Sequence, residues 1–125
     1  MLAGCGGTTS AHRGRTVTVP SYAGFPPTTI VGTYSASACT ADAAALAREA
    51  RLFAVHSSTD AAYSADTYYI DLRRFYADFE ARDCDPSTLG SALRAELSAT
   101  QRRVLVEYLP SDMAATVEDA LKATK

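Results

Sequence analysis

Cys39 and Cys84 stand 45 positions apart, at the two ends of a stretch that carries two helical patterns. In the first, Leu46, Ala50, Phe53 and Ala54 recur at i, i+4, i+7 and i+8, while Arg48, Glu49 and Arg51 fall elsewhere around the wheel. This predicts an amphipathic helix over roughly 41–56, with Thr40 as its cap and Asp42 complementing its positive end. The second pattern runs from 61–65 to 83 and sets Tyr68, Leu72, Phe75, Tyr76 and Phe79 in an aromatic stripe. Between them the polar Ser57-Ser58-Thr59-Asp60 offers local side-chain bonds that compete with a helix. Helices of this length rise about 25–28 Å, so two that run antiparallel bring both cysteines back to one end. A disulfide there closes the base of a hairpin. It needs a Cα separation of about 4.4–6.8 Å, which residues flanking two helices about 8–10 Å apart can meet.

Such a crosslink matters because the core is modest. Of 125 residues, 47% are hydrophobic, but 24 of those 59 are alanine, leaving 35 larger groups. A loop of this size closed by a disulfide contributes roughly 4 kcal/mol in the loop-entropy model. Beyond Cys84 the helical pattern continues. Asp85-Pro86 is a cap followed by proline at the first helical position. Leu89, Leu93, Leu97, Val104, Leu105 and Tyr108 then mark a helix or a broken pair over about 86–109. Gly90 and a capping-box pattern from Ser98 to Gln101 leave its continuity open. Pro110-Ser111-Asp112 restarts a last helix through Met113, Val117 and Leu121. The expected fold is all-α, a disulfide-closed antiparallel helical hairpin extended to a three- or four-helix bundle over 39–125.

Residues 5–38 read differently. They are rich in Thr, Ser, Gly and Pro, and no acidic residue precedes Asp42, so this stretch is expected to be a flexible tether. Thr16-Val17-Thr18-Val19 is its one short extended piece, and Tyr22, Phe25, Ile30, Val31 and Tyr34 are its candidates for packing back onto the domain. The net charge of −2 excludes the broad basic surface of a dedicated nucleic-acid binder. No apolar run approaches the length that spans a membrane. Three cysteines separated by 34 and 45 positions, with His12 and His56 near none of them, lack metal-ligand spacing, so no metal site is expected.

The remaining cysteine has its own context. Leu2-Ala3-Gly4-Cys5, followed by Gly6-Gly7-Thr8-Thr9-Ser10, resembles the lipobox at which bacterial lipoprotein precursors are cleaved and acylated. The resemblance covers four residues, and only four precede Cys5, so the charged and apolar parts of an export signal are missing from this stretch. It implies that residues 1–4 are the remnant of a lipoprotein signal and that Cys5 is the lipid attachment site. The protein is then anchored in the cell envelope, outside the cytoplasm, without spanning the membrane. That compartment also suits a Cys39–Cys84 disulfide.

Reactive groups are sparse. His56 lies beside Ser57, Ser58 and Asp60, but residues this close along a local turn do not make a triad, which needs separate elements to converge. No nucleophile-elbow or zinc-protease motif occurs, and no enzyme is expected. His56 and Tyr63 are candidate ligands of haem or another flat hydrophobic molecule. Tyr69 and Arg73, with Tyr63 and Tyr69 exposing their hydroxyls at the edge of the stripe, form a candidate partner surface with Tyr76. Arg102-Arg103 supplies two charges, too few to hold an anionic lipid surface alone. The leading expectation is a non-catalytic lipid-anchored accessory subunit of a membrane-associated protein complex. The alternative is an exported carrier of haem or another small hydrophobic ligand, and an enzyme is disfavoured.

Overall fold

Helix α1 spans Ala36–Thr59 and packs against three other helices. The computed structural model describes residues 14–21, 24–59 and 66–124. Ser35, not Thr40, starts α1: its hydroxyl accepts from the Ala38 amide at 3.3 Å and its carbonyl from the Cys39 amide at 2.8 Å. Thr40 lies inside the first turns and its hydroxyl donates back to the Ala36 carbonyl at 3.1 Å. The buried face of α1 is mostly small, with Ala43, Ala47, Ala50 and Ala54 beside Leu46 and Phe53. Small side chains let the neighbouring helices approach closely, so one helix can serve several partners.

Helix α2, Asp66–Ala81, runs back along α1 and ends in a Schellman motif. The Asp83 amide donates to the Glu80 carbonyl at 3.0 Å and the Cys84 amide to the Phe79 carbonyl at 3.3 Å. Asp83 itself takes the left-handed conformation, φ 63°, which aspartate tolerates better than most residues. This turn delivers Cys84 to the buried Cys39, and the two form a disulfide with a Cα separation of 5.7 Å. The hairpin is therefore closed at its base, as the cysteine positions imply.

Residues 16–31 depart from the tether reading. Thr16–Val19 (β1) and Thr28–Val31 (β2) pair antiparallel, with Thr16 opposite Val31 and Val19 opposite Thr28. Val17, Val19 and Ile30 are half-buried on the face toward α2, while Val31 on the outer face is 77% exposed. Four fixed points hold this ribbon on the end of α2. The Arg15 amide donates to the Ala81 carbonyl at 2.8 Å and its guanidinium pairs with Glu80 at 3.1 Å. The Gly14 amide donates to the Asp83 carboxylate at 3.3 Å. Arg82 donates to the Thr33 carbonyl at 3.1 Å while pairing with Asp42 of α1 at 3.0 Å. Gly32 passes so close to Ala81 that a Cβ there would strike its carbonyl, so glycine is required for the approach.

The rest of the chain forms three helices: α3 (Pro86–Glu96), α4 (Ala99–Tyr108) and α5 (Ser111–Ala123). Asp85 caps α3, accepting from the Ser87 amide at 3.0 Å. The Ser98–Gln101 capping box is complete in both directions and splits 86–109 into two helices, so the described residues hold five helices rather than three or four. Gly90 is the contact between α3 and α5, where a Cβ would collide with Thr124 and the Ala120 carbonyl. Arg94 covers the end of α5 by donating to the Leu121 and Thr124 carbonyls, each at 2.9 Å. Phe53, Leu72, Leu89, Leu93 and Leu105 are the largest fully buried side chains, drawn from four helices. Among the described residues no helix is long and apolar enough to cross a membrane.

Replacing Cys39 and Cys84 together by alanine is expected to lower the unfolding free energy by about 2–4 kcal/mol, measured by urea titration. A loss below about 0.5 kcal/mol, the size of an ordinary surface substitution, would show that the hairpin base holds without the crosslink.

Candidate binding surfaces

Of the residues singled out from the sequence, Arg73 lies against the Tyr69 ring and lines one cavity with Tyr76, and His56 lines none of the cavities described below. Cys5, His12, Asp60 and Tyr63 lie outside the described residues. His56 is half-buried near the C-terminal end of α1. Tyr69 is not at the border of the stripe. It is 4% exposed, and its hydroxyl donates to the Asp112 carboxylate of α5, 3.2 and 3.3 Å from the two oxygens. The Arg73 guanidinium lies 5.5 Å from the centre of the Tyr69 ring. This removes Tyr69 from any partner-facing surface, because its ring is buried and its hydroxyl joins α2 to α5. The phase of the helix explains the difference: Tyr69 shares a face with the buried Leu72 and Phe79, three and ten positions on.

Between β1, α2 and α5 lie two neighbouring cavities of about 220 and 270 Å³, both lined by Tyr76, Glu80 and Thr116. Arg15 and Asp119 line the first, and Arg73 and Asp112 the second. Burial, then the Glu80 carboxylate, push the Tyr76 hydroxyl above its ordinary pKa, with Asp119 adding to the effect and Arg15 opposing it. The phenol is thus held protonated, suited to donating a hydrogen bond and unsuited to acting as a base. The charges here serve structure: Glu80 binds Arg15, and Asp112 accepts from Tyr69. Among the described residues no group of three or more His, Cys, Asp or Glu is placed to hold a metal ion.

The larger opening lies between α4 and α5, with a volume of about 670 Å³. Ala99, Val106 and Leu121 give it an apolar floor, and Arg102, Arg103, Glu107, Glu118 and Lys122 stand along its sides. Of these the sequence singles out Arg102 and Arg103, as a basic pair, and Leu121, as part of the last helix. The signal for the rest was the spacing: Arg103 and Glu107 flank Val106, and Glu118 and Lys122 flank Leu121, each charged pair four residues apart. Spacing cannot show that the two helices lie side by side.

Models of known protein families, curated proteins and solved structures were each compared with the chain, and none matches it.

Two outcomes follow from these contacts. Tyr69→Phe keeps the buried ring and loses only the bond to Asp112, so it should cost about 1 kcal/mol in urea unfolding. A neutral result would mean that the bond carries no stability. Asp78 has its pKa raised by burial first and by Asp42 second, with Arg82 and Arg74 opposing. A carboxyl whose pKa is raised by folding is most favourable below the unfolded value of 3.8, and that advantage is lost as pH rises through the folded value. Asp78→Asn should therefore raise the melting temperature at pH 7 and raise it less at pH 3. An equal gain at both values would point to a cause other than titration.

Proposed function

We propose that the protein is a non-catalytic, lipid-anchored protein of the cell envelope that acts as an accessory subunit on a membrane-associated partner. The Cys39–Cys84 disulfide carries this reading, since such bonds persist outside the cytoplasm, and Leu2-Ala3-Gly4-Cys5 supplies the matching attachment point. Two or three acyl chains hold a small domain at a bilayer firmly, where one holds it only marginally. A module of this kind works by presenting surface, and the described residues offer an open groove on α4 and α5. Of the two candidate haem ligands, His56 lines none of the cavities described above and Tyr63 lies outside the described residues.

Expression in a bacterium behind a complete lipoprotein export signal should give a membrane-bound product with diacylglycerol on Cys5, detected by mass spectrometry, and Cys5→Ser should release it. A soluble product with an unmodified Cys5 thiol would overturn the anchor.

A further inference from the structure

We propose that the Cys39–Cys84 disulfide is open to thiol–disulfide exchange at one sulfur only, that of Cys84, and that the cavity beside it admits small cationic or uncharged thiols in preference to anionic ones. The two cysteines differ in their surroundings. Cys39 is 3% exposed, sits in the core and lines none of the cavities described above. Cys84 is half-buried and lines the cavity of about 220 Å³ together with Arg15, Tyr76, Glu80, Asp83 and Asp119. Exchange requires a thiolate to reach the attacked sulfur from the side away from the leaving one. A cavity that touches Cys84 and not Cys39 gives that approach to Cys84 alone.

The step is a displacement. An incoming thiolate bonds to the Cys84 Sγ, the bond between the two cysteines breaks, and the Cys39 Sγ leaves with the electron pair and takes up a proton. A second thiolate then bonds to the sulfur of the first, releasing Cys84 as a thiolate and the reagent as its own disulfide. Two reagent thiols are oxidised and one protein disulfide is reduced. Burial makes Cys39 the poorer leaving group of the two. Leaving-group quality alone would therefore direct attack to Cys39, but a sulfur that no thiolate can reach does not react, so access decides. The cost is a slow reaction, and the product has the end of α2 released from the start of α1.

Charge sets the choice of reagent. The cavity holds three carboxylates, Glu80, Asp83 and Asp119, against the single guanidinium of Arg15. Arg15 pairs with Glu80 at 3.1 Å, which leaves two negative charges in excess. Asp83 is held in place by the Gly14 amide, and Asp119 stands exposed at the cavity's edge. After burial, Glu80 and Asp119 also raise the Tyr76 pKa, so their field reaches the interior. A reagent bearing a second negative charge is repelled there and one bearing an ammonium is drawn in.

Cysteamine, 2-mercaptoethanol and 2-mercaptoethanesulfonate share a two-carbon frame and differ in charge. The full chain carrying Cys5→Ser, so that no third thiol takes part, is treated with each at low ionic strength. Each rate is divided by the rate on the same chain unfolded in urea, which cancels the reagent's own reactivity. The normalised rates should fall in the order given, with the ends about tenfold apart, and salt should compress them. Asp119→Asn removes one of the two excess charges and should narrow the span to about threefold. Acid quenching and peptide mapping at early times should place the cysteamine adduct on Cys84. Equal normalised rates, a span that Asp119→Asn leaves unchanged, or an adduct on Cys39 would each overturn the proposal.

Discussion

The covalent bond between Cys39 and Cys84 fixes the end of α2 against the start of α1, and much of the architecture is built on the few residues around it. From Glu80 to Cys84 nearly every residue binds a different part of the chain. Glu80 and Ala81 take Arg15, Arg82 reaches both Asp42 and Thr33, Asp83 takes the Gly14 amide, and Cys84 takes Cys39. The Schellman turn makes this possible, because it presents side chains and carbonyls in several directions at once where a continuing helix would present them on one face. Exposed ion pairs such as Arg15–Glu80 stabilise little alone. Placed beside a crosslink, they act on groups already held in position, so less conformational entropy is lost for each contact.

The alanine content follows from the same geometry. A helix with large residues all round would keep its neighbours apart, but α1 has four alanines on its buried face and accepts α2, α3 and α4 around it. Close approach recurs at Gly90, where α5 lies against α3, and at Gly32, where the β-ribbon meets Ala81. The core is thus built from backbones brought near one another, with Phe53, Leu72, Leu89, Leu93 and Leu105 filling the space between. Small side chains contribute little hydrophobic area per residue, which is why a crosslink weighs heavily in this chain.

The parts of the fold legible in the sequence were those set by local chemistry. Asp85-Pro86 and Ser98 with Gln101 mark helix starts because the groups that satisfy the free amides lie within three residues of them. The disulfide was legible because helix rise alone returns both cysteines to one end. Thr40 misled because a threonine before an alanine run looks the same whether it caps the helix or bonds backward within it; only Ser35, five residues earlier, distinguishes the two. The β-ribbon was hidden because its strands are four residues each and their partner face is α2, more than 30 positions away. Adjacent tyrosines concealed the phase of α2: Tyr68 and Tyr69 fit the stripe almost equally, and Asp112 of α5 decides for Tyr69. The groove needed two helices side by side, and nothing local announces that.

Helix α5 separates the two surfaces of interest. Asp112, Thr116 and Asp119 line the cavities toward α2 and β1, while Glu118, Leu121 and Lys122 line the groove toward α4. At about 3.6 residues per turn these two sets point to different sides of the helix. The β-ribbon lies beside the first surface and leaves the second open.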